Sequence, residues 1–112
     1  MASVFKVNAQ GGAAIATTVT VPTSATYILH HVTLKMSAAP TTSENFTITL
    51  DANAGATYDV LLYSLDLSAG STTDLVWFPD EPLYLEGGDA IDVAYTNTDT
   101  GTYGLQITVG AL

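Results

Sequence analysis

The chain contains no cysteine and no arginine, and its only lysines are Lys6 and Lys35. Without cysteine there is no disulfide, no thiolate metal ligand and no cysteine nucleophile. Two lysines against 11 carboxylates leave a net charge of −9. Nucleic-acid binding needs clustered Lys or Arg against phosphates, so that class is disfavoured, as is a polybasic membrane anchor. Charged residues make up 12% of the chain, about half the share of roughly 25% in ordinary soluble domains. No apolar run approaches the about 20 residues of a membrane helix. Met1 to Gln10 lacks the apolar segment of a secretory signal. Synthesis in a cytoplasm is therefore expected, and the Asn45-Phe46-Thr47 sequon carries no weight. A period of 3.6 residues is missing as well, so no helix longer than one turn is expected.

What is present is a period of two. The chain has 112 residues, 47% of them hydrophobic, enough for one domain with a real core. Its 18 threonines, with Val, Ile and Tyr, suit a pleated surface. Phe46, Ile48 and Leu50 alternate with Thr47 and Thr49. Ile91, Val93 and Tyr95 alternate with Ala90, Asp92 and Ala94, and Tyr103, Leu105, Ile107 and Val109 alternate with Gly104, Gln106 and Thr108. The same reading extends to about nine strands: Val4 to Val7, Ile15 to Val21, Tyr27 to Met36, Phe46 to Asp51, Tyr58 to Leu67, Thr73 to Phe78, Leu83 to Leu85, Asp89 to Thr96 and Tyr103 to Val109. Gly, Pro and Asn clusters separate them, including Pro79-Asp80-Glu81-Pro82 and Gly87-Gly88. Strands at this spacing predict a single-domain antiparallel β-sandwich or barrel.

Two strands depart from clean alternation. Tyr58 to Leu67 is apolar on both faces, with Tyr58, Val60 and Leu62 against Leu61, Tyr63, Leu65 and Leu67. Leu75 and Trp77 oppose Val76 and Phe78 in the same way. An antiparallel strand normally keeps one face wet. A second copy, or cover from within the chain such as the N-terminal strand, must therefore shield the extra apolar face.

Candidate chemistry is sparse. His30 and His31 are adjacent on a strand, so alternation points them to opposite faces, His30 with Ile28, Val32, Leu34 and Met36. Neither is a good catalytic residue. Asp51-Ala52-Asn53-Ala54-Gly55 is similar to the start of a calcium loop, but Leu62 stands where the twelfth-position Glu is needed. Asn97 to Gly101 is as easily an Asx-rich turn. No Gly-x-Ser-x-Gly elbow or phosphate loop is present. No catalytic residue, metal ligand or cofactor is assigned, and an enzyme is not expected. Trp77 and Tyr63 are the two aromatics that could form a sugar-stacking platform; packing or an interface is the plainer reading.

The segment Leu83-Tyr84-Leu85-Glu86-Gly87-Gly88-Asp89-Ala90-Ile91-Asp92-Val93 is similar to the Leu-x-x-Gly-Asp-x-Ile-x-Val hairpin of many small jelly rolls. Gly87-Gly88 supply positive φ, and Asp89 can accept from the amides of its own turn. With the Thr/Ala-rich alternation, the acidic balance and a strand starting at the N-terminus, the chain from Val4 to Val109 resembles the single jelly-roll head decoration (cement) proteins of tailed bacteriophages, which have relatives in fibre bases.

That resemblance implies a jelly roll of about eight strands plus an N-terminal strand, with an arm over about residues 1–12. It implies a non-enzymatic homotrimer on the outer surface of a virion head, clamping neighbouring subunits of the major capsid protein. Nucleic acid and membrane are not expected partners. The trimer contact is expected on Leu61, Tyr63, Leu65, Trp77 and Phe78. The capsid contact is expected on the arm Ala2 to Gln10, through Ser3, Phe5, Lys6 and Asn8, with Lys6 facing a shell carboxylate. A carbohydrate-binding jelly roll, or a tail or fibre protein, is the alternative.

Overall fold

A computed structural model describes residues 3–112. Nine strands follow in order: β1 (Ser3–Gly11), β2 (Ile15–Thr20), β3 (Tyr27–Met36), β4 (Asn45–Asp51), β5 (Val60–Asp66), β6 (Asp74–Trp77), β7 (Leu83–Leu85), β8 (Ala90–Tyr95) and β9 (Tyr103–Ala111). A single 3-10 turn, Ala56–Tyr58, precedes β5. Tyr58, expected at the start of a strand, therefore belongs to that turn.

The strands form two antiparallel sheets. One has the order β1-β9-β3-β6, with β7 also on β3; the other has the order β2-β8-β4-β5. Apart from the β4–β5 hairpin and the β6–β7 pair on β3, consecutive strands cross between sheets and return beside earlier ones, the connectivity of a jelly roll. β6 pairs with Val32 to Lys35 and β7 with Tyr27 to Leu29, so the two lie end to end along β3. Between them runs Pro79-Asp80-Glu81-Pro82, and proline has no N–H to continue a ladder. β6 and β7 are one edge strand cut by its prolines. The roll of eight therefore includes β1, which is not an additional leading strand.

β1 pairs with β9 along its whole length, from Ser3 opposite Ala111 to Gly11 opposite Tyr103. The segment expected as an arm is an edge strand of the sandwich, with Val7 and Ala9 packed on the core. Ala2 lies outside the described residues. β1 occupies the edge of its sheet opposite β6, so it does not cover the second apolar faces of β5 and β6.

The core lies between the sheets. Phe46, Ile48, Ile91 and Val93 face Leu29, Val32, Leu105, Ile107 and Val109, all at most 1% exposed. Two irregularities redirect side chains. Leu29 pairs with Val109 but His31 with Thr108, so His30 is an extra residue in β3. Leu29 therefore takes the inward place expected of Ile28, which pairs outward with Tyr84. In β5, Tyr63 pairs with Ile48 and Leu61 with Thr49, leaving Leu62 as the extra residue.

The Gly87-Gly88 turn closes largely as its residues predict. Gly88 has φ 91°, and Asp89 accepts from the amides of Glu86 and Asn53, both at 2.8 Å. Gly87 serves a different need from the expected positive φ, because a Cβ there would stand 2.2 Å from the Thr23 carbonyl oxygen.

Candidate functional site

Six of the exposed large apolar side chains lie along β5 and around β6 and β7, while Val4, Phe5 and Leu112 are exposed near the chain ends. On the outer face of the five-stranded sheet, Val76 pairs with Thr33 and Tyr84 with Ile28, and both stand in solvent. Phe78, 62% exposed, follows β6 and lies 5.4 Å from the His31 ring. On the four-stranded sheet, Leu61 is 58% exposed, with Val60 and Tyr58 exposed beside it along the β5 edge.

The bulge in β3 brings both histidines to the first of these faces. His31 pairs with Thr108, which alternates outward from buried Ile107 and Val109. His30 Nε2 lies 2.9 Å from the position a Cβ on Gly110 would take, also on the outer side. The expectation of opposite faces fails because a bulge breaks the two-residue period. Lys6 and Lys35 project from the same sheet face: Lys6 Nζ donates to Gln106 Oε1 at 3.4 Å, and Lys35 pairs with Asp74 at 3.0 Å. Thr108 Oγ1, between Lys6 and His31 in register, is buried and has no hydrogen-bond partner within the described chain.

The expected trimer residues divide between these surfaces and the core edge. Tyr63, Leu65 and Trp77 are half-buried and pack on the core. Tyr63 and Trp77 close the sandwich where β5 lies over β6, with ring centroids 5.9 Å apart. Trp77 is thus no free sugar platform. Leu61 and Phe78 are exposed, one on each face. The expected capsid residues also divide, since Ser3 and Phe5 belong to the inward row of β1, Phe5 edge-on to Tyr27 at 5.5 Å, while Lys6 and Asn8 belong to the outward row. Val76 and Tyr84 went unnamed as surface residues although simple alternation places them there.

The carboxylates act on the chain itself. Asp99 accepts from the backbone and hydroxyl groups of Thr41 and Thr42, which hold its pKa down at about 2, the Thr42 hydroxyl contributing most. Asp66 is lowered by the hydroxyls of Ser43 and Ser68, and Asp74 by its bond to Lys35. Asn97, with φ 55° and 3% exposed, donates to the carbonyls of Ala13 and Gly101. Asp59 accepts from the Ala52 amide and Asp89 from that of Asn53. The segment Asp51 to Gly55 is therefore a turn held by carboxylates from outside it, and Asn97 to Gly101 a turn held by its own Asn97. Burial, with the charges of Glu44, Asp99 and Asp66, raises the Tyr95 phenol above its ordinary value.

No group of three or more His, Cys, Asp or Glu side chains converges among the described residues. A notch of about 380 Å³ opens where Gly104 has no side chain, but Asn8, Gln10 and Gln106 line it without an ionisable group. A smaller pocket of about 210 Å³ lies under Leu62, Trp77, Phe78 and Leu83, beside Asp80. Neither assembles an acid–base pair. The arrangement is one of surfaces suited to contact.

Known proteins are similar to this chain in fold. No family model matches it, and no curated protein matches it in sequence. A chain from the acidic stable capsid of Helicobacter pylori bacteriophage KHP30 superposes over 100% of this chain and 94% of its own, with TM-score 0.54 and 12% identity. The Drosophila NLP core, whose structure bears on pentamer formation and histone binding, covers 95% of this chain and 96% of its own, also with TM-score 0.54 and 12% identity. Both likenesses run from end to end and establish the sandwich architecture.

Proposed function

We propose that this chain is a non-enzymatic structural protein of a virion, a decoration protein that self-associates as a homotrimer and clamps neighbouring capsid subunits on the outer surface of a head. The observation that carries this reading is the end-to-end likeness to a phage capsid chain. The exposed apolar side chains along β5 and around β6 and β7 support it, because such groups suit contact with a partner. A trimer bound across several shell subunits couples weak contacts into a tight set through effective concentration. It stabilises the shell because it binds only the assembled state. The net charge of −9 keeps unassembled copies soluble and repels packaged DNA.

The test is to sediment the purified protein with empty heads from the virus that encodes it. Co-sedimentation at a fixed ratio to the capsid subunit, saturating with added protein, is the expected result. Absence from heads and from purified particles by mass spectrometry overturns the reading. A second reading takes the other neighbour as guide: an oligomer that binds a basic protein. The excess of 11 carboxylates over two lysines favours it. Salt-sensitive binding of histones by a protein absent from particles would select this second reading.

A further inference from the structure

We infer that two copies of this chain join edge to edge through β1, which pairs antiparallel with the β1 of the second copy about a two-fold axis at Val7. The contact goes beyond the proposed trimer, because it is two-fold and rests on a strand edge rather than on the virion reading.

Four strand edges border the sandwich. On the side closed by Tyr63 and Trp77, β5 carries the bulge at Leu62 between Asp59 and Asp66, and Pro79 and Pro82 part β6 from β7. Bulges, prolines and charges are the devices that keep an edge from pairing. The opposite side has no proline, carboxylate or bulge: β2 is six residues without a charge, and β1 runs for nine residues against β9 in unbroken register. Among the described residues no strand lies beyond β1. The backbone N–H and C=O groups of its alternate residues therefore point to solvent. Its apolar side chains are uncovered as well, with Val4 65% and Phe5 36% exposed.

What satisfies such an edge is another strand, and the sequence of β1 selects β1 itself. Antiparallel pairing centred on Val7 uses the whole of Ser3 to Gly11 in both copies. On the inward row it sets Phe5 opposite Ala9 and Val7 opposite Val7, so apolar meets apolar. On the outward row it sets Val4 opposite Gln10 and Lys6 opposite Asn8, whose amide oxygen can accept from the ammonium. Lys6 is the only charge on the strand. A parallel in-register pair would set Lys6 against Lys6, and like charges directly opposite are destabilising. On the other sheet, uncharged β2 borders the same side and does not repel the approaching copy. The contact uses the same surface on both partners, so it closes at two copies and joins their five-stranded sheets into one.

Asn8 is exposed, and changing its charge tests both the contact and its register. Asn8→Lys sets a lysine against each Lys6 across the axis, whereas Asn8→Asp sets a carboxylate there. Unchanged circular dichroism and thermal transition establish that each variant is folded, and light scattering over a dilution series measures association. The wild type should form a reversible species with an even number of copies. Asn8→Lys should weaken it by about 2–30-fold, and Asn8→Asp should tighten it by a similar factor. Overall charge predicts the reverse order: between copies of net charge −9, an added lysine lessens repulsion and an added carboxylate raises it. A wild type with one copy or another odd number, variants that follow overall charge, or variants that leave association unchanged overturn the inference. Head binding is scored apart from these masses. A protein found on heads without this response refutes the β1 pairing alone, and the response in a protein absent from particles refutes the virion reading alone.

Discussion

Tyr63 and Trp77 meet across the open edge of the sandwich, their ring planes inclined by 32° at a centroid distance of 5.9 Å. One comes from β5 and the other from β6, so this contact ties the two sheets together where no strand crosses between them. Trp77→Ala should lose about 2–4 kcal/mol of stability, the range for truncating a large, partly buried aromatic. Urea unfolding followed by circular dichroism measures it. A change under about 0.5 kcal/mol, the range of plain surface substitutions, would show that the edge is closed by other residues.

Asn97 holds the loop before β9 from within. Its amide donates to two carbonyls at 2.9 Å, and its Oδ1 accepts from the Gly101 amide at 3.0 Å. Asn97→Ala leaves those buried groups unpaired and puts alanine at positive φ, so a loss of about 2–4 kcal/mol is expected. Asn97→Gly loses the same hydrogen bonds but adopts the positive φ without strain, so it should fall between the wild type and Asn97→Ala. Equal losses in the two variants would assign the whole effect to the hydrogen bonds.

Two glycines should respond in opposite ways. A methyl on Gly87 collides with the Thr23 carbonyl at 2.2 Å, and backbone cannot swing aside as a side chain can. Gly87→Ala should cost about 2–3 kcal/mol, as overpacking does. Around a methyl on Gly104 nothing lies within 4 Å, so Gly104→Ala should stay within about 0.5 kcal/mol of wild type. Thermal melts of the two variants side by side test the contrast.

Acid should loosen the loop end of the sandwich. The carboxyl of Asp99 titrates at about 2 in the folded chain, against an ordinary 3.8. A depressed folded pKa contributes stability that is complete above the unfolded value and is lost as pH falls through the folded one. The melting temperature should therefore fall between about pH 4 and about pH 2. Asp66 and Asp74, also lowered, add to the decline. Asp99→Asn should show a shallower slope in that window. A slope identical to wild type would exclude Asp99 as a contributor.

The periodicity was sufficient to locate all nine strands, because a half-buried strand writes its burial into alternate residues. Gly88 and Asp89 were legible for a similar reason, since a tight turn restricts which residues can occupy it. Bulges are another matter. The extra residues His30 in β3 and Leu62 in β5 leave no mark in the chain's own alternation, because a bulge is defined by what the partner strand does. Both errors of facing, Ile28 for Leu29 and the two histidines on opposite sides, trace to the first of them. The expected contact residues suffered differently. Tyr63, Leu65 and Trp77 are apolar because they finish the core at its edge, whereas Leu61 and Phe78 are apolar in solvent, and residue type alone does not separate the two cases.

By itself the sequence determined a one-domain antiparallel β-sandwich with acidic balance and no thiol chemistry, since composition and local period carry those properties. The tertiary structure decided that β1 is an edge strand and that β6 and β7 are halves of one. It also gathered both lysines and both histidines on one face. Strand order and facing depend on pairs of residues up to about a hundred positions apart, such as Lys6 with Gln106, and no local pattern records which distant strand a given strand will meet.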